Sequence, residues 1–284
     1  MQRPTILLGV AVIWAAAAAA PAWAQTLPLA PVRGSDQAVW PAFEGWYENE
    51  DGSLTVYFGY HNRNTEEVVD IPLGENNFIE PEEFDGAQPT RFETGRQWGV
   101  FGFQVPGDYP RESRIYWNLI IDGETYRVPG HLSTDWKTDA LGGGASGNTP
   151  PSLTFGSTSD MGPVGPTFPE TLTAQVGEPL DLMVHASDQG SGGGLAAAFG
   201  GGGRGRAGAR VTLDWFKHQG PGAVSFSPER GRVQSTGEEM TTVATFSAPG
   251  DYVVRVRATD GGMASAGHAQ CCWTHGYINV TVTR

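Results

Sequence analysis

The chain has 284 residues, with 31 acidic against 18 basic side chains and a formal net charge of −13. Acid spread along the whole sequence excludes polyanionic partners such as nucleic acid and anionic membrane surfaces. Two cysteines in this length exclude a disulfide-dense scaffold.

Residues 1–24 read as a signal peptide. Arg3 supplies the positive start, Ile6 to Ala20 an apolar run, Pro21 a break, and Ala22-Trp23-Ala24 a small-x-small cleavage site. The apolar run falls short of the roughly 20 residues needed to span a bilayer. Cleavage after Ala24 is therefore expected, with no membrane span afterwards and a secreted or periplasmic location. Removal of Arg3 takes the formal charge from −13 to −14. Gln25 at the new terminus excludes a lipidated cysteine, and residues 25–39 read as a flexible leader.

Between 40 and 128, apolar and polar residues alternate with a period of two. Strands are expected from Trp40, over Leu54 to Tyr60, Glu67 to Leu73, Gln97 to Val105, Arg114 to Ile121 and Glu124 to Val128. Asn49 to Ser53 and Asp122-Gly123 are turn signals. About six short strands with Gly and Pro between them read as an antiparallel sandwich or barrel. The block is rich in aromatics, and alternation through Tyr57-Phe58-Gly59-Tyr60 sends some rings outward. Trp46, Tyr57 and Tyr60 are candidate ligand-stacking residues for a glycan or peptide; the competing reading buries them under other parts of the chain.

Residues 129–169 shift to Gly, Ser, Thr and Pro, a composition that cannot bury a core of its own. The segment reads as a linker, with Leu153, Phe155 and Phe168 available to tack it onto a domain.

From 170 to 284 the alternation is clearer. Seven strands are expected: Leu172 to Val176, Leu180 to Ala186, Val211 to Trp215, Ala223 to Phe226, Thr241 to Phe246, Tyr252 to Ala258 and Tyr277 to Val282. The run Ser247-Ala248-Pro249-Gly250-Asp251-Tyr252-Val253-Val254-Arg255-Val256-Arg257-Ala258-Thr259-Asp260-Gly261 follows Val176 to Leu180 and Leu213-Asp214-Trp215-Phe216. Together these resemble the PKD and related immunoglobulin-like (cadherin- or fibronectin-III-like) modules of bacterial exported proteins, over about 110 residues. The resemblance implies an Ig-like sandwich with Trp215 in the core and Tyr252 tying a corner through its hydroxyl. It also implies spacer, binding or adhesion duty. The expected fold class is thus all-β, two antiparallel sandwich domains joined by a Gly/Pro/Ser-rich linker.

Two segments depart from that pattern. Residues 189–210 form a Gly-rich insertion. Asp260 to His275 is longer than a tight turn and carries His268, Cys271, Cys272 and His275. In an Ig-like sandwich both loops emerge at one pole, where the linker also arrives, so the cluster is a candidate for the interdomain joint.

Three chemistries stay open for the cluster. Adjacent Cys271 and Cys272 can close a vicinal disulfide in an oxidising compartment. Two thiolates and two imidazoles also suit zinc or copper, although neighbouring residues on a strand point to opposite faces. In the third reading the cysteines simply pack in the joint as small apolar side chains.

Asp188 and Asp260 close strands at the same pole, near Asp160 and Glu170, and are candidate calcium ligands. Asp before Gly is equally a turn former, and no D-x-D-x-D-G series is present. No nucleophile elbow, H-E-x-x-H helix or phosphate loop occurs. The expectation is a non-catalytic binding, adhesion or structural protein of the bacterial cell envelope, with a protein or glycan partner. The competing class is a metal protein, or metal-dependent enzyme, centred on 268–275.

Overall fold

The computed structural model describes residues 33–142, 148–189, 210–266 and 269–284, with the side chains of 261–271 set aside. The chain divides into Met1–Pro31 and one unit, Val32–Arg284. The expected signal peptide, the start of the segment 25–39, the bulk of the Gly-rich insertion, His268 and the Cys271 side chain lie outside the described residues. No helix among the described residues is long and apolar enough to cross a membrane. Apart from two single-turn 3-10 helices, Glu82–Phe84 and Thr134–Trp136, the regular structure is all strand.

The first half contains β1 (Val39–Glu48), β2 (Leu54–Asn62), β3 (Val69–Asp70), β4 (Asn77–Glu80), β5 (Arg91–Phe92), β6 (Gly95–Val105), β7 (Ile115–Ile121) and β8 (Glu124–Gly130). They form antiparallel sheets β1-β2-β6 and β4-β7-β8 and the ribbon β3-β5. Val56, Phe58 and Tyr60 of β2 point with Phe101 and Trp117 into one apolar core. Tyr57, on the other face, packs with Tyr47, Ala140, Leu141 and Val164. Both faces of β2 are thus covered, although alternation alone leaves one of them to solvent.

The second half contains β9 (Ser152–Phe155), β10 (Thr158–Met161), β11 (Leu172–Gln175), β12 (Pro179–Ser187), β13 (Arg210–Gln219), β14 (Val224–Ser227), β15 (Arg230–Gln234), β16 (Glu238–Phe246), β17 (Gly250–Ala266) and β18 (Ala269–Thr283). Two five-stranded sheets, β10-β9-β12-β16-β14 and β11-β18-β17-β13-β15, face each other. All pairings are antiparallel except β11 with β18. This is an immunoglobulin-like sandwich. Trp215, Val254, Val256, Ile278 and Val280 lie in its core with Leu182 and Phe246 of the opposite sheet.

Two expectations change. The segment 129–169 is not all connector: the hairpin β9-β10 adds to the sandwich, with Leu153 and Phe155 fully buried in its core. Its apolar residues alternate over only four positions, too few to stand out from the surrounding Gly and Pro. The second is the loop carrying the cysteines, which is strand from Ala269 onward, since β17 and β18 pair on to Ala266↔Ala269 past a shift between Thr259 and Ala264. The corner expected from Tyr252 is present: its hydroxyl donates to the Ala248 carbonyl at 2.8 Å.

Candidate functional site: a buried polar seam between the two cores

Alternation along three strands builds this seam. On β18, Ile278, Val280 and Val282 point into the sandwich core, which sends Trp273, His275 and Tyr277 to the opposite face. On β17 the same phase sends Arg255 and Arg257 outward beside Val254 and Val256. On β13 it sends out Asp214 and Phe216. This outer face is largely shielded from water, with Phe216, Arg257 and Tyr277 part-buried. Strand β6 of the first half lies against it, and Arg255 is 2% exposed, His275 0% and His218 2%.

Hydrogen bonds cross the seam at each level. His275 Nε2 lies 3.2 Å from the Trp98 carbonyl, and the Tyr277 hydroxyl donates to the Val100 carbonyl at 2.8 Å. His218 Nε2 lies 2.9 Å from the Ala87 carbonyl, and the Thr90 amide donates to the His218 carbonyl at 2.8 Å. Trp273 packs on β6 where the chain leaves no room for a side chain. A Cβ at Gly99, itself at φ +51, would sit 2.9 Å from Trp273 Nε1.

The electrostatics follow from burial. Desolvation, reinforced by the Arg255 charge, holds His218 down at about 3 and His275 well below the ordinary histidine value, so both rings are neutral. A neutral His275 with its proton on Nε2 donates to Trp98 and leaves Nδ1 to accept from Arg255 Nη1 at 3.1 Å. The Arg255 guanidinium also lies 4.5 Å from the Phe216 ring centroid. Arg257 is treated differently: its Nη2 donates to Asp214 at 3.0 Å, and Asp214 is shared with Arg230. On the first half, Glu44 is 2% exposed and accepts from Arg96 at 2.5 Å. Burial still outweighs the ion pair and lifts the Glu44 carboxyl to about 7.

The residues singled out from sequence distribute as follows. Cys272 is buried and disulfide-bonded. His275 is committed to Arg255 and Trp98, which takes it out of the proposed zinc or copper set. His268 and the Cys271 side chain lie outside the described residues. Among the described residues no group of three or more His, Cys, Asp or Glu is placed to hold a metal. Asp260 accepts from the Asn148 side chain, so the connector reaches β17. The Asp188 amide donates to the Ser235 carbonyl at 2.8 Å, holding β12 to the turn after β15.

The aromatic-platform expectation is corrected, because Trp46, Tyr57 and Tyr60 are all buried. Their polar ends are used internally: Trp46 Nε1 donates to the Ser133 carbonyl, Tyr57 to Thr138 Oγ1, and the Tyr60 hydroxyl accepts from the Glu93 amide. Residues 133–141 and the sandwich of the second half cover faces that alternation would leave open. Sequence reading missed Arg255, Arg257, Asp214, Phe216 and His218. The sequence marks Arg255 and Arg257 only as charged residues alternating with apolar ones in a strand, which by itself assigns them to solvent.

No family model matches this chain, and no curated protein does. Partial similarity to solved structures is found. The D00-D0 domain of intimin is 9% identical, covers 86% of this chain and 100% of its own, and scores a TM of 0.28. Domains 4 and 5 of the S-layer protein SbsC are 12% identical over 61% of this chain and 66% of theirs, at a TM-score of 0.28. A protein of unknown function from Porphyromonas gingivalis W83 is 11% identical over 86% of this chain and 100% of its own, at 0.25. At this level the sandwich assignment rests on the strand pairing and cores given above.

Proposed function

We propose that this chain is an exported, non-catalytic binding and structural module of the bacterial cell envelope. The seam is the observation that carries the reading. The imidazoles and guanidinium that would otherwise be available for acid–base or metal work spend their hydrogen bonds on joining two cores: Arg255 on His275, His275 on Trp98, His218 on Ala87. A buried, hydrogen-bonded polar layer holds one arrangement, because any sliding strands a charge or a carbonyl without water. A stiff body of this kind suits presentation of a surface at a fixed distance. The signal-like start at 1–24 and the PKD-like run at 247–261 favour the same reading.

The test has two parts. N-terminal sequencing of protein recovered from the exported fraction is expected to begin at Gln25. Labelled mature protein is expected to sediment saturably with isolated envelope material. Protein that stays in the supernatant at every concentration would count against a binding role, and recovery of the intact chain from the cytoplasm would count against export.

A further inference from the structure

At one end of the seam lies a cleft of about 600 Å³, within the ~300–1,000 Å³ range of small-molecule sites. Asp70, Pro72, Thr90 and Arg91 of the β3-β5 region form one wall, the turn Gly220 to Ala223 the other, and Lys217 lines it between them.

The cleft lining carries Lys217, Arg91 and Asp70, and Glu93, paired with Arg91 outside the lining, supplies the second carboxylate. Lys217 is 7% exposed, and its Nζ lies 3.1 Å from Asp70 Oδ1 and 3.1 Å from the Gly222 carbonyl. Arg91 donates through Nη1 to Asp70 at 3.2 Å and through Nε to Glu93 at 2.9 Å. Two carboxylates and two cations cancel. An anion brought here meets Asp70 beside the cations, and a cation meets Lys217 and Arg91 beside the carboxylate, so a neutral ligand avoids both penalties.

Polar capacity nevertheless remains. An ammonium has three donors, and two of those on Lys217 are used. Asp70 has lone pairs beyond those facing its two cations. Donor and acceptor stand side by side on Lys217 and Asp70, and adjacent ring hydroxyls match that arrangement by donating to the carboxylate and accepting from the ammonium. Pro72, Pro221 and Ala223 offer C–H surface to the apolar face of a sugar ring.

Both walls are fixed before any ligand arrives. Gly222 N donates to the Tyr252 hydroxyl at 3.0 Å and Ala223 N to Ser247 Oγ at 2.8 Å, which ties the turn to the corner of the sandwich. On the other side Thr90 is bound through its amide to His218 and through its carbonyl to the Ile71 amide, each at 2.8 Å. Little ordering entropy is then lost on binding.

We infer that this cleft binds an uncharged pyranose unit of a glycan, with neighbouring hydroxyls bridging Asp70 and Lys217. The inference rests on the binding-module reading above and gives it a ligand class.

The test titrates the mature full chain, by saturation-transfer NMR and calorimetry, with the methyl glycosides of glucose, galactose and mannose, and with glucuronate and glucosamine as charged counterparts. Saturable binding of at least one neutral glycoside, stronger than that of either charged sugar, is expected. Asp70→Asn, measured well below its own unfolding midpoint, should weaken binding about tenfold, whereas Thr90→Val, whose hydroxyl is buried out of a ligand's reach, should leave binding unchanged. Absence of saturable binding by every neutral glycoside would overturn the inference. So would preference for a charged sugar, or binding indifferent to Asp70→Asn. If the glycosides fail while the protein still sediments with envelope material, the cleft assignment alone falls; if both fail, the binding reading falls with it.

Discussion

The Arg255 guanidinium meets His275 Nδ1 at 3.1 Å where neither side chain reaches solvent, so an imidazole nitrogen stands where a buried arginine would ordinarily have a carboxylate. Because the ring is neutral, the pair carries a full positive charge, softened by the Phe216 face. Removing the acceptor leaves that charge without its hydrogen bond. His275→Ala is expected to cost about 3–5 kcal/mol in urea denaturation. The pair Arg255→Met with His275→Leu removes the charge and refills the space, and should lose clearly less than His275→Ala alone. A double variant that is worse than the single one would show that the polar pair, rather than its burial, holds the seam.

Acid should open this seam. His218 and His275 have folded-state values depressed far below 6.5, so the unfolded chain takes up protons first. Their contribution is present above pH 6.5 and is lost as pH falls below it, towards about 3 in the case of His218, with a slope of up to ~1.4 kcal/mol per pH unit for each ring. Glu44 has the opposite sign. Its carboxyl is raised from 4.5 to about 7, so its contribution is present below 4.5 and is lost as pH rises through 7. Between 4.5 and 6.5 the two trends oppose. Glu44→Gln should therefore steepen the net loss on acidification across that window, as read from denaturation midpoints at pH 7, 6 and 5. An unchanged pH profile in the variant would mean that Glu44 does not titrate there.

Cysteine chemistry gives a third outcome. Cys272 is disulfide-bonded, no free cysteine occurs among the described residues, and the chain holds two cysteines in all. A thiol assay in denaturant without reductant is expected to find none, and non-reducing electrophoresis to give the monomer mass, the result that pairing of neighbours requires. A ring closed between adjacent residues restrains little of the unfolded chain, so reduction should move the unfolding midpoint only slightly. Two titratable thiols would restore the metal reading for 268–275, and a dimer band would place the bond between chains.

The sandwich was legible because one period of two, repeated over Val211 to Trp215, Tyr252 to Ala258 and Tyr277 to Val282, names an inward face with little ambiguity. The seam was not legible, because the same rule assigns Arg255, Arg257 and His275 to solvent. Only the arrival of β6 reverses that, and the pairing of one core's outer face with another's leaves no periodic mark. Tyr57 failed in the same way, as its cover comes from Ala140, Leu141 and Val164, which lie outside any alternating run. The cluster at 268–275 drew attention through residue type, whereas its position on a continuing strand separates His275 from Cys272 by alternation.

Three glycines with positive φ separate backbone strain from lack of space. Gly52, at φ +83 in the hairpin turn between β1 and β2, is open on its side-chain side, and a Cβ there would meet nothing within 4 Å. Gly52→Ala should cost only the ~1 kcal/mol of an unfavourable backbone. At Gly99, φ +51, the added Cβ meets Trp273 Nε1 at 2.9 Å and Pro163 at 3.0 Å, and a shift of a few tenths of an ångström relieves it. Gly220, φ +136, is the severe case. Its Cβ would lie 2.1 Å from Tyr252 Cδ1, and that ring cannot yield because it is buried at 2% exposure and its hydroxyl is held by Ala248 and Gly222. Gly220→Ala is expected to lose at least ~3 kcal/mol, against ~1 kcal/mol for Tyr252→Phe, which removes only the corner hydrogen bonds. Combining Gly220→Ala with Tyr252→Leu should recover part of that loss if the clash is the cause. Equal losses at Gly52 and Gly220 would instead assign both to backbone conformation, leaving the Tyr252 ring without the wedging role that fixes the cleft wall.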